Sequence, residues 1–280
     1  MLVSTKDMLM KASRGGYAVP SANFIDYEMA KTFVDVAEQN QKPLILSFAE
    51  CHMDLLSLEE AANIATFFAS KASVDIALHL DHGTDFEVIK KAISLGFTSV
   101  MIDASSESFD RNVAITREVV QYAHLYDVPV EAEIGHVGAG QNFEDHEHND
   151  SVYTDVQEAF RFAELTETDS LAVSIGTAHG TYSGTPKINF DRLSEIKSVV
   201  NIPLVLHGGS STGDANLARC AQLGISKINI FTDFIIAAQD AMNRNGDSDY
   251  FEVKSAVTDA LAGTLKHYYA VYGTQEDEKD

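Results

Sequence analysis

The chain has no tryptophan, two cysteines and five prolines in 280 residues. Cys51 and Cys220 are too few for a disulfide scaffold in a chain this long, and no CxxC pair is present. No apolar run approaches the roughly 20 residues that a membrane-spanning helix needs. The opening Met-Leu-Val-Ser-Thr-Lys lacks the apolar core of a secretion signal, so a cytoplasmic location is expected. Positive charge is also scarce: 20 Lys and Arg stand against 42 Asp and Glu, a net charge of −22. A chain that acidic repels phosphodiester backbones and anionic membranes, so neither nucleic acid nor a membrane is expected as a partner.

What remains is an ordinary globular composition, 45% hydrophobic and 22% charged, long enough for a full core. Short apolar or β-branched runs recur and alternate with amphipathic stretches. The expected strands are Tyr17–Val19, Leu44–Phe48, Asp75–Leu80, Ser99–Asp103, Val130–Ile134, Ser170–Ile175, Pro203–Leu206 and Lys227–Ile230. Helical periodicity marks Asp26–Gln39, Leu58–Ser70, Phe86–Leu95, Asp110–Tyr126, Val156–Leu165 and Ala215–Leu223. Most strands are apolar throughout, as parallel strands covered by helices are. Eight such units in about 250 residues match an α/β fold of the single (β/α)8 TIM-barrel type. A doubly wound open sheet is the alternative, because alternation does not report closure. One domain is expected over residues 1–280, with a helical extension from about 242 and a short polar tail at 274–280.

In such a barrel the chemistry gathers where strands end and βα loops begin. Polar residues fall there on six of the eight units: Ser21 and Asn23, His79-Leu-Asp81-His82, Glu131 and Glu133, Gly176-Thr-Ala-His179-Gly180, His207-Gly208-Gly-Ser210, and Asn229 with Thr232 and Asp233. His82, His179 and His207 come from three different strand ends. Neutral imidazoles with one open position form the donor set of a catalytic zinc site. Asp81, beside one of them, is placed to orient a hydroxyl and exchange its proton. Glu133 is a candidate to hold a ligand histidine or the substrate. His79 and Glu131 fit better as partners in the barrel interior. The glycine-rich turns around His179 and His207, and the helix opening at Thr232, present backbone N–H groups to an anion. An acidic protein can therefore bind phosphate without a basic cluster.

In order along the chain, these blocks resemble the zinc-dependent class II fructose- and tagatose-bisphosphate aldolases. The resemblance covers about residues 1–235 and weakens from about Met242. It is carried by Tyr-Ala-Val-Pro near the start, His-Leu-Asp-His-Gly, Glu-Ala-Glu-Ile-Gly-His-Val-Gly, Asp-Ser-Leu-Ala-Val-Ser-Ile-Gly-Thr-Ala-His-Gly, Pro-Leu-Val-Leu-His-Gly-Gly-Ser and Lys-Ile-Asn-Ile. It implies that His82, His179 and His207 bind a zinc ion that polarises the carbonyl of a ketose 1-phosphate and stabilises the enediolate left by carbon–carbon cleavage. It implies that Asp81 exchanges a proton with the C4 hydroxyl and that Asn229 holds the dihydroxyacetone phosphate half. Gly180, Gly208, Ser210 and Thr232 would cradle its phosphate, with a Na+ or K+ ion nearby, and Asn23 and Glu133 would face the substrate. A homodimer or homotetramer is implied as well.

Three departures stand out. The family's acidic loop after the fifth strand reads Gly138-Ala-Gly-Gln141-Asn-Phe-Glu144-Asp145, and a glutamine cannot return the proton to carbon. Glu144 is the expected substitute, with Asp145 the second choice. The serine that follows the second strand in the family is Ala49, with Ser47 two residues earlier. The late stretch Gly246-Asp-Ser-Asp-Tyr-Phe-Glu-Val lacks the arginine that grips a second phosphate and carries Asp247, Asp249 and Glu252 instead. An aldehyde half without phosphate is therefore expected, unless Arg244 or Lys254 compensates. Two other functions fit parts of the pattern: a sugar-phosphate-binding protein without turnover, and a zinc hydrolase on the same barrel. The second is weakened because Tyr-Ala-Val-Pro lacks the paired histidines such hydrolases use.

Overall fold

The computed structural model describes residues 2–135, 153–180 and 186–277. Eight parallel strands close into a barrel in sequence order: β1 Val19–Asn23, β2 Leu44–Ala49, β3 Ile76–Gly83, β4 Ser99–Ile102, β5 Val130–Ile134, β6 Ser170–Val173, β7 Leu204–Leu206 and β8 Ile225–Ile230. The closing seam pairs Val19 with Lys227 and Ser21 with Asn229. Closure decides between the two α/β architectures that alternation allows, and the open sheet is excluded.

Ten α-helices accompany the strands among the described residues: α1 Thr5–Gly15, α2 Tyr27–Asn40, α3 Leu58–Ala69, α4 Phe86–Ser94, α5 Phe109–Ala123, α6 Val156–Thr166, α7 Phe190–Val199, α8 Asp214–Gln222, α9 Thr232–Arg244 and α10 Tyr250–Val271. The helix starts follow local chemistry. Asp26 caps α2, Asp155 caps α6, and Ser57 with Glu60 forms a reciprocal capping box on α3, each satisfying N–H groups that have no partner within the helix. The pattern does not single out α1 or α7. In α7 only Leu193 and Ile196 are buried, too narrow a stripe to stand out. In α1, Met8, Leu9 and Ala12 pack on Val19, Ile45 and Ala77 at the strand starts, which covers the N-terminal mouth of the barrel.

The first strand lies later than expected. Tyr17 and Ala18 precede it, the Ala18 N–H being taken by the Tyr272 carbonyl. Pro20, which signals a strand end, sits within β1 opposite Ile228 of β8. The shift carries Asn23 to the C-terminal rim.

Outside the barrel wall the core is aliphatic and aromatic, with Phe33, Phe48, Phe97, Phe162 and Phe234 fully buried. Inside it, one layer is charged. Lys227 of β8, with no exposed side-chain surface, lies 2.9 Å from Glu131 of β5. Glu131 also accepts from His207 Nε2 at 2.9 Å. Burial opposes ionisation of Glu131, but the Lys227 ammonium and the His207 hydrogen bond outweigh it and lower its pKa to about 2. His79 is pushed down to about 3, first by burial and then by the Lys227 charge. It stays neutral and bonds Ser99 Oγ at 2.8 Å through Nδ1. Both residues thus occupy the interior positions the sequence suggests.

A buried carboxylate that loses its counter-ion is left without compensation. Lys227→Met is therefore expected to cost about 3–5 kcal/mol of unfolding free energy. Lys227→Met combined with Glu131→Leu should recover most of that loss. Urea unfolding of the two variants is the check, and equal stabilities would disprove the coupling.

Candidate active site

The site begins with an irregularity in β3. In a regular strand Asp81 and His82 would point to opposite faces. Here Leu80 pairs with Val100 and Gly83 with Ile102, so two residues of β3 face the single Met101 of β4. That extra residue is a β-bulge, and His82 takes φ +46 to complete it. Both side chains therefore reach the rim. Gly83 is demanded by the same bend, because a Cβ there would lie 2.5 Å from the Met101 carbonyl oxygen.

Asp81 is buried at 3% exposure, with a donor on each oxygen. Asn23 Nδ2 of β1 donates to Oδ2 and Asn229 Nδ2 of β8 donates to Oδ1, both at 2.8 Å. Burial alone would raise its pKa. The charges of His82 and Lys227 overcome it and hold the carboxyl well below the usual range, so Asp81 is an ionised base.

His82, His179 and His207 converge as the sequence suggests. Their rings stand 4.5 to 5.9 Å apart, and one nitrogen from each lies within 4.8 Å of the other two. His82 Nδ1 faces Asp103 Oδ2 at 2.8 Å and His207 Nε2 faces Glu131. Each of those nitrogens carries the proton, because a carboxylate only accepts. His82 Nε2 and His207 Nδ1 are then lone-pair nitrogens, yet they meet at 2.9 Å. Two lone pairs at that distance repel unless a proton or a cation lies between them. His179 Nε2 is buried with no hydrogen-bond partner among the described residues. The donor set therefore fits a divalent ion of the zinc class. Without one, the rings divide protons unevenly. Burial disfavours the charged form of His82, but Asp81 and Asp103 more than offset it and raise its pKa to about 9. Burial and then the neighbouring rings lower His179 to about 4.

Asn23, Asp81, His82, His179 and Asn229 line a cavity of about 410 Å³ at the C-terminal rim. Gly180, Gly208, Ser210 and Thr232 line it too. Gly208 takes φ +65 with its Cα pressed on the Ala178 carbonyl, where a Cβ would lie 2.4 Å away. Only glycine lets the two glycine-rich turns meet so closely. Glu133 and His207 sit behind the cavity wall, Glu133 Oε2 being 3.6 Å from His207 Nδ1. Gln141, Glu144 and Asp145 lie outside the described residues.

The structure adds groups that sequence reasoning missed. Asp103, the first residue after β4, orients His82 and is itself held by Ser105. Its signal was present, a carboxylate closing an apolar strand. Cys51, His52 and Phe231 form one wall of the cavity, the His52 and Phe231 rings tilted at 43° with centroids 4.7 Å apart. Ser47 does not reach the site from its shifted position. It is fully buried, with its hydroxyl against that of Ser21. Arg244 and Lys254 are not among the described residues that line the cavity. Lys254 pairs instead with Glu28 at 2.8 Å, and Asp249 caps α10 by accepting from Phe251 and Glu252.

The fold and site define a closed (β/α)8 barrel with a triple-imidazole centre beside an ionised aspartate and two glycine-rich turns. A model of the family described as class II fructose-bisphosphate aldolase matches residues 3–277. Among solved structures, the YdjI aldolase of Escherichia coli K12 superposes with a TM-score of 0.90 at 33% identity, over 99% of this chain and 100% of that one. A Coccidioides immitis protein described as a candidate fructose-1,6-bisphosphate aldolase follows at 0.85 and 26% identity, over 95% of each chain. The fructose-bisphosphate aldolase of Campylobacter jejuni shares the fold at 0.80 and 19% identity, over 99% of this chain and 97% of that one. The chain belongs to the class II fructose-bisphosphate aldolase family and is an aldolase, hence a lyase. The family match includes α9 and α10, beyond the last block that the motifs reach.

Asp103 touches His82 alone among the three histidines, which separates orientation from ligation. Asp103→Ala is expected to weaken zinc binding by about 10- to 100-fold, the usual cost of removing the group that orients a histidine ligand. Competition against a chromophoric chelator would measure it, and unchanged affinity would remove Asp103 from the centre.

Proposed function

We propose that this aldolase is zinc-dependent and reversibly cleaves a ketose 1-phosphate, or a ketose 1,6-bisphosphate, into dihydroxyacetone phosphate and an aldehyde. The observation that carries this reading is the Asp81 carboxylate, ionised and locked by Asn23 and Asn229, next to three imidazoles whose free nitrogens face one another. His82, His179 and His207 are the residues that would hold the ion. When bound, zinc supplies Lewis-acid polarisation of the substrate carbonyl.

The remaining work falls to the chain itself. Asp81 takes the proton of the C4 hydroxyl as the C3–C4 bond breaks, leaving an aldehyde and an electron pair on C3. Its two amide contacts leave it no rotational freedom, so the base is pre-positioned. Asn229 bridges Asp81 and the cavity and is suited to hold the dihydroxyacetone half. The C1 phosphate is received by the turns at Gly180 and Gly208–Ser210 and by the start of α9 at Thr232, where amide dipoles favour an anion. The proton returned to C3 is assigned to Glu144, since Gln141 has none to give.

The aldehyde half is read as unphosphorylated. Lys254 is engaged by Glu28, and neither Lys254 nor Arg244 faces the cavity among the described residues. The outer wall is instead Cys51, His52 and Phe231, which offers a hydroxylated or apolar aldehyde a surface and offers a second phosphate no cation.

Triose phosphate release by the zinc-loaded protein, with a chelated control, would test this on fructose and tagatose 1-phosphates and 1,6-bisphosphates. Chelator-sensitive cleavage with the 1-phosphates preferred is the expected result. Cleavage that survives complete zinc removal would sink the metal-dependent reading. Asp81→Asn should lower kcat by about 10²- to 10⁴-fold, the range for loss of a general base, while zinc still binds.

A further inference from the structure

The turn that follows His207 is held in a shape a free chain would avoid. Ser211 has φ +59, the left-handed region that strains a residue bearing a Cβ. Two bonds to one side chain keep it there: the Ser211 N–H donates to Asp233 Oδ2 at 2.9 Å, and its hydroxyl donates to Oδ1 at 3.0 Å. The clasp is reciprocal. Ser210 Oγ accepts the N–H groups of Phe231 and Asp233, at 3.3 and 3.2 Å, where α9 begins.

Behind the clasp stands α10. The Tyr268 hydroxyl donates to Asp233 Oδ2. One helical turn on, the fully buried Tyr272 sets its hydroxyl under Gly209, 3.6 Å from where a Cβ would stand. Burial and then the hydrogen bond to Asp233 raise the Tyr268 pKa, so its hydroxyl remains a donor. Asp233 needs such engagement. It is a carboxylate next to amides that receive a phosphate, and a loose one would fold onto those amides or repel the ligand. With Ser211 and Tyr268 on its oxygens, it faces the groove between α9 and α10 and not the cavity.

We propose that Tyr268 is a positioning residue for the phosphate-binding turn, acting through Asp233 to hold Ser210 and Ser211 in the form that receives the C1 phosphate. The proposal rests on the reading of that turn given above. It gives α10, which carries none of the sequence blocks, a part in substrate binding.

The test compares Tyr268→Phe with Tyr269→Phe in the full-length zinc-loaded protein. Tyr269 is the control because it lies on the same helix, is also buried, and loses a comparable hydrogen bond, its hydroxyl donating to the Pro43 carbonyl at 3.1 Å. Inorganic phosphate is the probe, titrated by calorimetry, with zinc affinity, thermal midpoint and amide exchange at Ser211 measured alongside. Tyr268→Phe is expected to weaken phosphate binding about tenfold, the size of one lost charge-assisted hydrogen bond. It should also speed exchange at Ser211, raise KM more than it lowers kcat, and leave zinc affinity within about twofold. Tyr269→Phe should lower the thermal midpoint yet keep phosphate affinity. Equal phosphate affinity in wild type and Tyr268→Phe would overturn the proposal alone, as would an equal loss in the two variants. A wild type that binds zinc but no phosphate would overturn the assignment of the turn, and the proposal with it.

Discussion

The extra residue in β3 is the constraint from which the site follows. Strand alternation forbids neighbours from sharing a face, yet the chemistry needs a base and a histidine side by side. Pairing Leu80 with Val100 and Gly83 with Ile102 resolves the conflict by spending one residue of register. Asp81 keeps its regular place, where Asn23 and Asn229 reach it across the β1–β8 seam. His82 is turned into the same space through a positive φ. The bend presses β3 on β4 so tightly that position 83 has no room for a side chain. The same closeness brings Asp103, just past β4, onto His82 Nδ1. Base, metal-type ligand and the carboxylate that orients it are therefore consequences of one local distortion.

Beneath the rim, buried charge sets the state of the imidazoles. An isolated Lys227 in this position would be expensive, and so would an isolated Glu131. Paired at 2.9 Å, they leave Glu131 anionic, and Glu131 then claims the proton on His207 Nε2. The other His207 nitrogen, Nδ1, must then meet His82 Nε2 as a lone pair. Asp103 imposes the same choice on His82. A protein with a net charge of −22 thus uses two of its carboxylates to aim histidine lone pairs and, on the function proposed above, backbone amides to receive an anion. The global acidity and the local anion site do not conflict, because dipoles at a helix start and a tight turn act within a few ångströms.

Much of this was legible in the sequence. Apolar runs separated by helical stretches marked all eight strands, and polar residues after six of them marked the rim. Closure was not legible, since hydrogen bonding between β1 and β8 leaves no local trace. The start of β1 was misplaced because Pro20 signals a break, and a barrel strand tolerates it. Asp103 was overlooked because one carboxylate after a strand is commonplace, and its meaning comes only from facing His82. The bulge was half visible: His-Leu-Asp-His-Gly names the residues, but period-two reasoning sends His82 to the wrong face. His52 and Phe231 are far apart in sequence and become one wall only through the fold.

At the distal half of the cavity the structure gives the acidic stretch a different part from the one its sequence suggests. Asp247, Asp249 and Glu252 suggested a stretch hostile to a second phosphate. In the structure Asp249 spends its carboxylate on the first amides of α10, and Lys254 is drawn away by Glu28. Among the described residues, Lys254 is thus committed to Glu28 and away from the cavity. On the function proposed above, the phosphate end is the rigid one, with α10 behind the clasp between Asp233 and the Ser210–Ser211 turn. An enzyme that grips one end of its substrate rigidly can leave the other end to shape and hydrogen bonding. On that function, selectivity among aldehydes would fall to the Cys51, His52 and Phe231 wall, where a methylene more or less is worth only about 1–3 kcal/mol. Such a wall discriminates more sharply between hydroxyl patterns than between chain lengths, because an unmatched buried polar group costs more than a small void.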